Sequence, residues 1–278
     1  RGDFPPNYRH FAGDRKETQD LLVRIVKWWI KETDVDGARL DAIKHLAPGL
    51  LPHLTREIRE YAASLGKKNF WRVGENSSGV DEEVVPFLGS QGVDSVYNYT
   101  SYRRDNRALH GQAATVDLSE SFEKSRRIFG PLTGALLRFL DNQDTYRFLR
   151  TNEPIELLKM ALGYALFSTG IPFIYYGTEQ AFRQAVDRLD PEGPDLPADP
   201  RNREDMFEEG KFKSESSVGD KFDQDSPMFK RFAQLAALRR EHGALRRGEQ
   251  YVRWADSGGP GIYAFSRIYG DSEVLVVM

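Results

Sequence analysis

Apolar residues near the start of the chain repeat with the period of a helix: Leu21, Leu22, Ile25, Val26, Trp29 and Ile30. Gly37 marks the end of the loop after this helix. The run ARLDAI, which comes next, has the length and composition of a strand. The same order, a helix and then a strand, returns at residues 50–66 and 70–76. Alternating helices and strands predict an α/β fold with a parallel sheet.

The alternation continues along most of the chain. SVYNY (95–99), ALLRFLDNQD (135–144) and IPFIYYG (171–177) read as strands, and residues 155–170 have helical length. Predicted strand ends fall near positions 40, 75, 98, 141 and 176, and this spacing is close to the ~30 residues of one βα unit. About five such units predict part of a (β/α)₈ barrel.

The pattern changes twice near the end of the chain. Residues 178–226 are rich in Pro, Gly, Asp and Ser, which predicts a long loop at the rim of the barrel. Helical periodicity resumes between Phe229 and Leu238, and two alternating runs around Gly270 and Asp271 predict a β-hairpin. We therefore expect a partial barrel over residues 1–248 and the start of a β-domain over 249–278.

Composition narrows the class of partner. The 278 residues carry 39 Lys and Arg against 42 Asp and Glu, a formal charge of −3. Without a long basic run we expect no nucleic-acid partner. No apolar run reaches the roughly 18 residues of a membrane span, so we expect no membrane partner. Cysteine is absent, which leaves the compartment open.

Three acids fall at or just past predicted strand ends: Asp41, Glu75 and Asp144. The C-terminal ends of barrel strands form one rim, where active sites are built, so we expect these acids to converge there. Two carboxyl groups about 5 Å apart can cleave a glycosidic bond with retention of configuration. Arg39 lies on the same face of its strand as Asp41, where its fixed charge would hold that carboxylate ionised.

Four segments resemble one known family. DGARLDAIKH, VGEN and FLDNQD are similar to the second, third and fourth conserved regions of glycoside hydrolase family 13, the α-amylase family, in the same order. GIPFIYYGTEQ resembles that family's eighth-strand segment. The resemblance runs from about residue 10 to the end. It implies that the fold is the C-terminal part of a (β/α)₈ barrel followed by the start of a C-terminal β-domain.

The resemblance implies a role for each matched residue. Asp41 would be the nucleophile, Glu75 the general acid/base, and Asp144 the third carboxylate, which grips sugar hydroxyls. The matched substrate-binding positions are Arg39, Lys44, His45, Asn142 and Gln143. The carbonyl at the position of His45 is a calcium ligand in many members. The histidines show no spacing of metal ligands, so we expect no catalytic metal site, and the chemistry requires no cofactor.

Two departures from the family pattern stand out. The fourth region usually reads Asn-His-Asp, but here a neutral amide, Gln143, replaces the histidine, and we expect weaker transition-state stabilisation or an altered subsite. The first conserved region and the first three strands have no counterpart, and residues 1–17 resemble the tail of the family's inserted domain. We therefore expect a fragment, or a chain that is completed by the N-terminal part of its parent protein.

The expected function is a retaining glycoside hydrolase acting on α-glucosidic bonds of α-glucans or maltooligosaccharides. A transglycosylase or an α-glucosidase of the same family remains an alternative, because water and an acceptor sugar use the same three acids. A non-catalytic carbohydrate-binding or interaction protein, or an inactive fragment, is the alternative from another class.

Overall fold

The computed structural model describes residues 11–150, 152–184, 200–210 and 221–278. The chain divides into two compact units, Arg1–Thr100 with Ile128–Leu136 and Ser101–Arg127 with Leu137–Met278. Most of the predicted tail at residues 1–17 and much of the predicted loop at 178–226 lie outside the described residues. The domain boundary expected at residue 248 stays a prediction.

The first unit alternates helices and strands as the sequence predicts. Its elements are α1 (Lys16–Thr33), β1 (Gly37–Leu40), α2 (Leu50–Ser64), β2 (Trp71–Gly74), α3 (Asp81–Val84) and β3 (Ser95–Tyr97). β2 pairs in parallel with β1 and with β3. Asp41 and Glu75 each stand directly after the last residue of a strand, β1 and β2.

Two apolar clusters support this sheet. Helices α1 and α2 share one cluster: Val23, Ile30, Leu54, Ile58, Ala62 and Phe70. A second cluster includes Ile43, from the turn after β1, and Val96 of β3; its members are Ile43, Leu51, Val84, Val93, Val96, Phe129 and Leu136. Ile43 is 0% exposed, so the residue two positions after Asp41 anchors the turn that carries that acid.

The second unit mixes helices with two kinds of sheet. Its elements are α4 (Tyr99–Leu109), α5 (Val116–Phe129), β4 (Leu136–Phe139), β5 (Leu149–Arg150), α6 (Ile155–Phe167), β6 (Ile171–Phe173), β7 (Arg183–Gln184), α7 (Pro227–Glu241), α8 (Gly243–Arg247), β8 (Glu249–Ala255), β9 (Tyr263–Tyr269) and β10 (Ser272–Val277). Some residues at the ends of α4, α5 and β4 belong to the first unit. β4 pairs in parallel with β6, and β5 with β7.

The predicted hairpin is confirmed as part of a larger sheet. β9 and β10 pair in antiparallel fashion around Gly270, whose φ is +57°. β8 adds a third strand on the other side of β9. The pattern did not predict β8, because a register shift between Val252 and Trp254 breaks its alternation. The expected α/β class and the C-terminal β-structure are both confirmed.

Helix α6 forms the centre of the second unit. Leu158, Ala161, Leu162 and Ala165 are at most 1% exposed, and they pack in the same cluster as residues of α7 and β9. This helix is apolar on nearly all sides, as expected for a helix surrounded by other elements. No helix in the described part of the chain is both long enough and apolar enough to cross a bilayer.

Candidate active site

Two of the predicted acids lie side by side in the first unit. Asp41 directly follows β1 and Glu75 directly follows β2, and the last residues of these strands, Leu40 and Gly74, are register partners. The amide of Glu75 donates to the carbonyl of Leu40 at 2.8 Å. The ladder therefore places Asp41 and Glu75 at equivalent positions on neighbouring strand ends.

The backbone between these acids has a left-handed conformation. Ala42 has φ 47° and ψ 42°, a region that residues other than glycine seldom adopt. In this conformation its amide donates to Oε2 of Glu75 at 2.9 Å. The amide of Ile43 donates to the carbonyl of Glu75, also at 2.9 Å. Two successive amides after Asp41 thus hold the backbone and the side chain of Glu75.

Close packing explains the glycine before Glu75. A Cβ on Gly74 would lie 2.4 Å from Cδ1 of Ile43 and 3.0 Å from Cγ2 of Val93. The first distance is well inside van der Waals contact, so a side chain at position 74 would displace buried Ile43. Gly74 therefore lets Ile43, in the turn after β1, pack directly against β2.

Arg39 pairs with Asp41, as the strand alternation predicts. Its Nη1 donates to Oδ1 of Asp41 at 2.6 Å, and its guanidinium lies 5.6 Å from the centroid of the Tyr97 ring. Burial by itself would lower the pKa of Arg39, but the charges of Asp41 and Tyr97 and the hydrogen bonds to both outweigh burial and raise that pKa. Arg39 is therefore a permanent cation beside Asp41.

The environments of the two acids differ strongly. The side chain of Asp41 is 74% exposed, whereas Glu75 is only 9% exposed. Lys44 and His45 lie in the helical turn that follows Asp41, Ile43–His45. Lys44 is exposed and His45 is half-buried. The structure thus brings the five matched positions of the first unit to one strand-end region.

The third predicted acid lies in the second unit, in a turn after β4. Asn142 is fully buried, and its Oδ1 accepts a hydrogen bond from the amide of Asp144 at 2.8 Å. The amide of Asn142 donates to Oγ1 of Thr145 at 3.0 Å. Gln143 donates through Nε2 to Oδ2 of Asp144 at 2.6 Å. The side chains of Asn142 and Gln143 thus contact Asp144 itself.

A buried acid supports the base of this turn. Asp141 is 2% exposed and accepts hydrogen bonds from the amide of Phe148 and the hydroxyl of Thr178, each at 3.0 Å. Burial raises the pKa of Asp141, although the charge of Arg147 and both hydrogen bonds act in the opposite direction. The guanidinium of Arg147 lies 4.2 Å from the Tyr175 ring centroid. Asp141 is a structural acid beside the predicted functional one.

Sequence reasoning missed two residues that contact the same turn. Asn202 donates to the carbonyls of Asn142 and Thr145, and Arg203 donates to Oδ1 of Asp144. Both residues lie in the helical turn Pro200–Arg203, within the segment predicted as a long loop. Its composition carried no periodic signal, so the sequence pattern could not place these side chains near residue 144.

A metal site requires several ligating side chains close together. In the described ranges, no group of three or more His, Asp or Glu side chains is arranged to hold a metal ion. The calcium ligand that the family resemblance implies is a backbone carbonyl, that of His45, and it stays a prediction. The roles predicted for the eight matched positions remain predictions.

The resemblance seen in the four segments is confirmed by comparison with known proteins. A family model described as the alpha-amylase catalytic domain matches residues 7–248. An alpha-amylase from Streptomyces lividans is 28% identical over 267 residues, covering 91% of this chain and 29% of that protein. A cyclomaltodextrin glucanotransferase from Bacillus sp. (strain 1-1) is 26% identical over 260 residues, covering 92% of this chain and 32% of that protein.

A solved alpha-amylase structure is also similar to this chain. The alpha-amylase from Anoxybacillus superposes with a TM-score of 0.77 at 25% identity, covering 97% of this chain and 53% of that one. The chain thus spans about a third of the curated relatives described above and about half of this solved structure. The similarity confirms the expected partial-barrel fold. The family match covers most of the sequence, and the chain belongs to the α-amylase family, glycoside hydrolase family 13.

Proposed function

We propose that the protein containing this chain is a retaining glycoside hydrolase that acts on α-glucosidic bonds of α-glucans or maltooligosaccharides. The observation that carries the proposal is the pairing of Asp41 and Glu75 at register-matched ends of parallel strands, with the amide of Ala42 bonded to Glu75. Family membership supports the proposed class of substrate. Asp41 is the proposed nucleophile, Glu75 the acid/base and Asp144 the acid that binds sugar hydroxyls.

The first step forms a covalent bond between enzyme and sugar. A carboxylate oxygen of Asp41 attacks the anomeric carbon while the bond from that carbon to the leaving oxygen breaks. Glu75 gives its proton to that oxygen, and the shortened glucan departs as an alcohol. The product of this step is a glycosyl ester on Asp41, and Glu75 is left as a carboxylate.

The second step releases the sugar. The carboxylate of Glu75 takes a proton from a water molecule while the water oxygen attacks the anomeric carbon and the ester bond to Asp41 breaks. Two inversions give net retention. Arg39 holds Asp41 in place through its 2.6 Å hydrogen bond in the resting state.

The contrast in exposure supports this division of roles. A carboxyl group in a dry setting is suited to hold a proton, whereas an exposed one beside a cation is suited to remain ionised. Glu75, at 9% exposure, has the first environment. Asp41, at 74% exposure and paired with Arg39, has the second.

The test is turnover of maltooligosaccharides by the purified protein and by Glu75→Gln. We expect the α-anomer as the first product by NMR, and a loss in kcat of roughly 10² to 10⁴ in the variant, the usual contribution of general acid–base catalysis. Glu82→Gln, on the exposed surface of α3, is the matched control and should keep full activity. Release of the β-anomer, or full activity in Glu75→Gln, would contradict the assignment.

Sugar transfer is the second candidate function. The relatives of this chain include cyclomaltodextrin glucanotransferases and a cyclomaltodextrinase as well as amylases. In transfer, a sugar hydroxyl takes the place of water in the second step. Chromatography of products from a single maltooligosaccharide separates the two functions, because transfer yields products longer than the substrate or cyclic products, whereas hydrolysis yields only shorter ones.

A non-catalytic carbohydrate-binding protein is the rival from another class. It predicts that maltooligosaccharides bind without being cleaved, and that Glu75→Gln leaves binding unchanged. Calorimetric binding together with the turnover assay distinguishes this rival from the enzyme.

A further inference from the structure

A short segment far along the chain fastens the turn that carries Asp144. Asn202 is 1% exposed, and its Nδ2 donates to the carbonyl of Thr145 at 2.5 Å and to that of Asn142 at 3.2 Å. These two carbonyls lie on either side of Gln143 and Asp144 in the sequence. One buried amide therefore ties both ends of the turn together.

The next residue reaches the acid itself. Arg203 donates through Nη2 to Oδ1 of Asp144 at 3.3 Å, and through Nε and Nη2 to the carbonyl of Gln143 at 3.3 and 3.2 Å. The planar guanidinium thus spans a backbone carbonyl and a carboxylate oxygen of adjacent residues, as its fixed fork of donors allows.

Gln143 holds the opposite oxygen of the same carboxylate. Its Nε2 lies 2.6 Å from Oδ2 of Asp144. We call Gln143, Asn202 and Arg203 the Asp144 clamp. Each oxygen of an ionised carboxylate can accept about two hydrogen bonds. One protein donor on each oxygen therefore leaves acceptor capacity for sugar hydroxyls.

We propose that the Asp144 clamp is a positioning device, which fixes the direction in which Asp144 presents its carboxylate to substrate. This inference rests on the proposed function. It also changes the expected role of Gln143, whose amide is directed at Asp144 and acts on substrate through that acid. Asn202 and Arg203 are further positioning residues.

The ion pair between Arg203 and Asp144 is better suited to orient Asp144 than to stabilise the fold. The side chains of Arg203 and Asp144 are 49% and 45% exposed, and an ion pair in that setting contributes about 0–1 kcal/mol to folding. A displacement of about 1 Å at a reacting centre can lower a rate about 10²-fold. We therefore expect loss of this contact to change the rate far more than the stability.

The first test separates turnover from substrate affinity. We expect Asn202→Ala and Arg203→Gln to lower kcat by about 10-fold to 10²-fold, with a smaller change in KM and no matching loss in melting temperature for Arg203→Gln. Arg203→Lys, which keeps the charge but loses the fork, should recover part of kcat. Asn152→Ala and Arg240→Gln, both at exposed positions, are the matched controls. A kcat equal to the controls in Arg203→Gln would overturn the proposal.

The second test does not depend on activity. Hydrogen exchange of the amides of Asp144 and Thr145 should be several-fold faster in Asn202→Ala than in Asn152→Ala, because the turn loses its buried tie. Unchanged exchange at these amides would overturn the clamp even if the wild-type protein cleaves no glucan. Absence of turnover with accelerated exchange would refute the proposed function and leave the clamp supported. If Asn202→Ala fails to fold, the same exchange measurement on Arg203→Gln decides.

Discussion

At the scale of single residues, the conformation of Ala42 connects the two acids of the first unit. A left-handed backbone costs a residue other than glycine roughly 1–2 kcal/mol. Such strain persists where surrounding contacts enforce it, and it concentrates at functional sites. Here the enforcing contacts are the hydrogen bonds that the amides of Ala42 and Ile43 make to Glu75. We infer that the strain is retained because it orients the acid.

Ala42→Gly and Ala42→Val test this inference. Glycine should change the free energy of unfolding by less than about 1 kcal/mol, because relief of strain is offset by its larger unfolded-state entropy. Valine, which is branched at Cβ, should destabilise by more than about 1 kcal/mol and lower kcat by moving the amide away from Glu75. Urea unfolding and steady-state kinetics measure the two effects.

Ala181 offers the matched control, since it is also left-handed, with φ 58°, and lies outside the proposed chemistry. Ala181→Val should lower stability and leave kcat unchanged. Equal effects of the two valine substitutions on kcat would show that Ala42 has no special role.

At the scale of elements, the site of the first unit depends on how closely two strand ends pack. β1 and β2 are each four residues long, and their ladder aligns the acids that follow them. The turn after β1 packs Ile43 against Gly74, so the spacing between the acids is set by a contact with no room for a methyl group.

Gly74→Ala should therefore be strongly unfavourable. The added Cβ would meet Ile43 and Val93, and overpacking of this kind costs about 1–3 kcal/mol. Because Glu75 is the next residue, we also expect a reduced kcat. Gly134→Ala is the control, since a Cβ there would meet nothing within 4 Å. Thermal melts compare the two variants, and a Gly74→Ala protein as stable and active as the control would contradict the packing argument.

At the scale of the whole molecule, the buried acid Asp141 contributes to how stability depends on pH. Burial raises the pKa of Asp141 above its ordinary value of 3.8. Between the ordinary and the raised value the native state binds more protons than the unfolded state, so stability falls as pH rises through that interval. At higher pH this contribution levels off.

Asp141→Asn isolates this contribution, because asparagine does not titrate. We expect the free energy of unfolding of the wild type, relative to that of the variant, to fall as pH rises above about 4, the ordinary pKa of an aspartate, and then to level off. Chemical denaturation of both proteins at a series of pH values provides the comparison. A relative stability that rises with pH over that interval would show that the pKa of Asp141 is lowered.

The match to the α-amylase family extends over most of the molecule, residues 7–248. The chain covers 53% of the Anoxybacillus alpha-amylase, so the substrate class of the whole protein is a proposal. Strand-end acids, helix packing and the C-terminal sheet are properties of the described residues alone.

The sequence by itself determined the order of helices and strands, the positions of the acids relative to strand ends, and the family. These features are local: periodicity needs only neighbouring residues, and DGARLDAIKH, VGEN and FLDNQD each lie within one strand and its turn. Asp41 and Glu75 fall at strand ends because each apolar run stops at its acid, and they share one edge of the sheet because the two strands are parallel.

Only the tertiary structure decided the contacts between distant segments. Asn202 lies 57 and 60 positions from its two partners, and nothing in the composition of its segment signals those bonds. The left-handed conformation of Ala42 was equally hidden, since alanine carries no signal for that conformation and the hydrogen bond that accompanies it is made to Glu75, 33 positions away. Local pattern predicts helices and strands because the period at which side chains alternate between core and solvent is a property of neighbouring residues. Side-chain partners across the fold are chosen by packing, which a single sequence does not express.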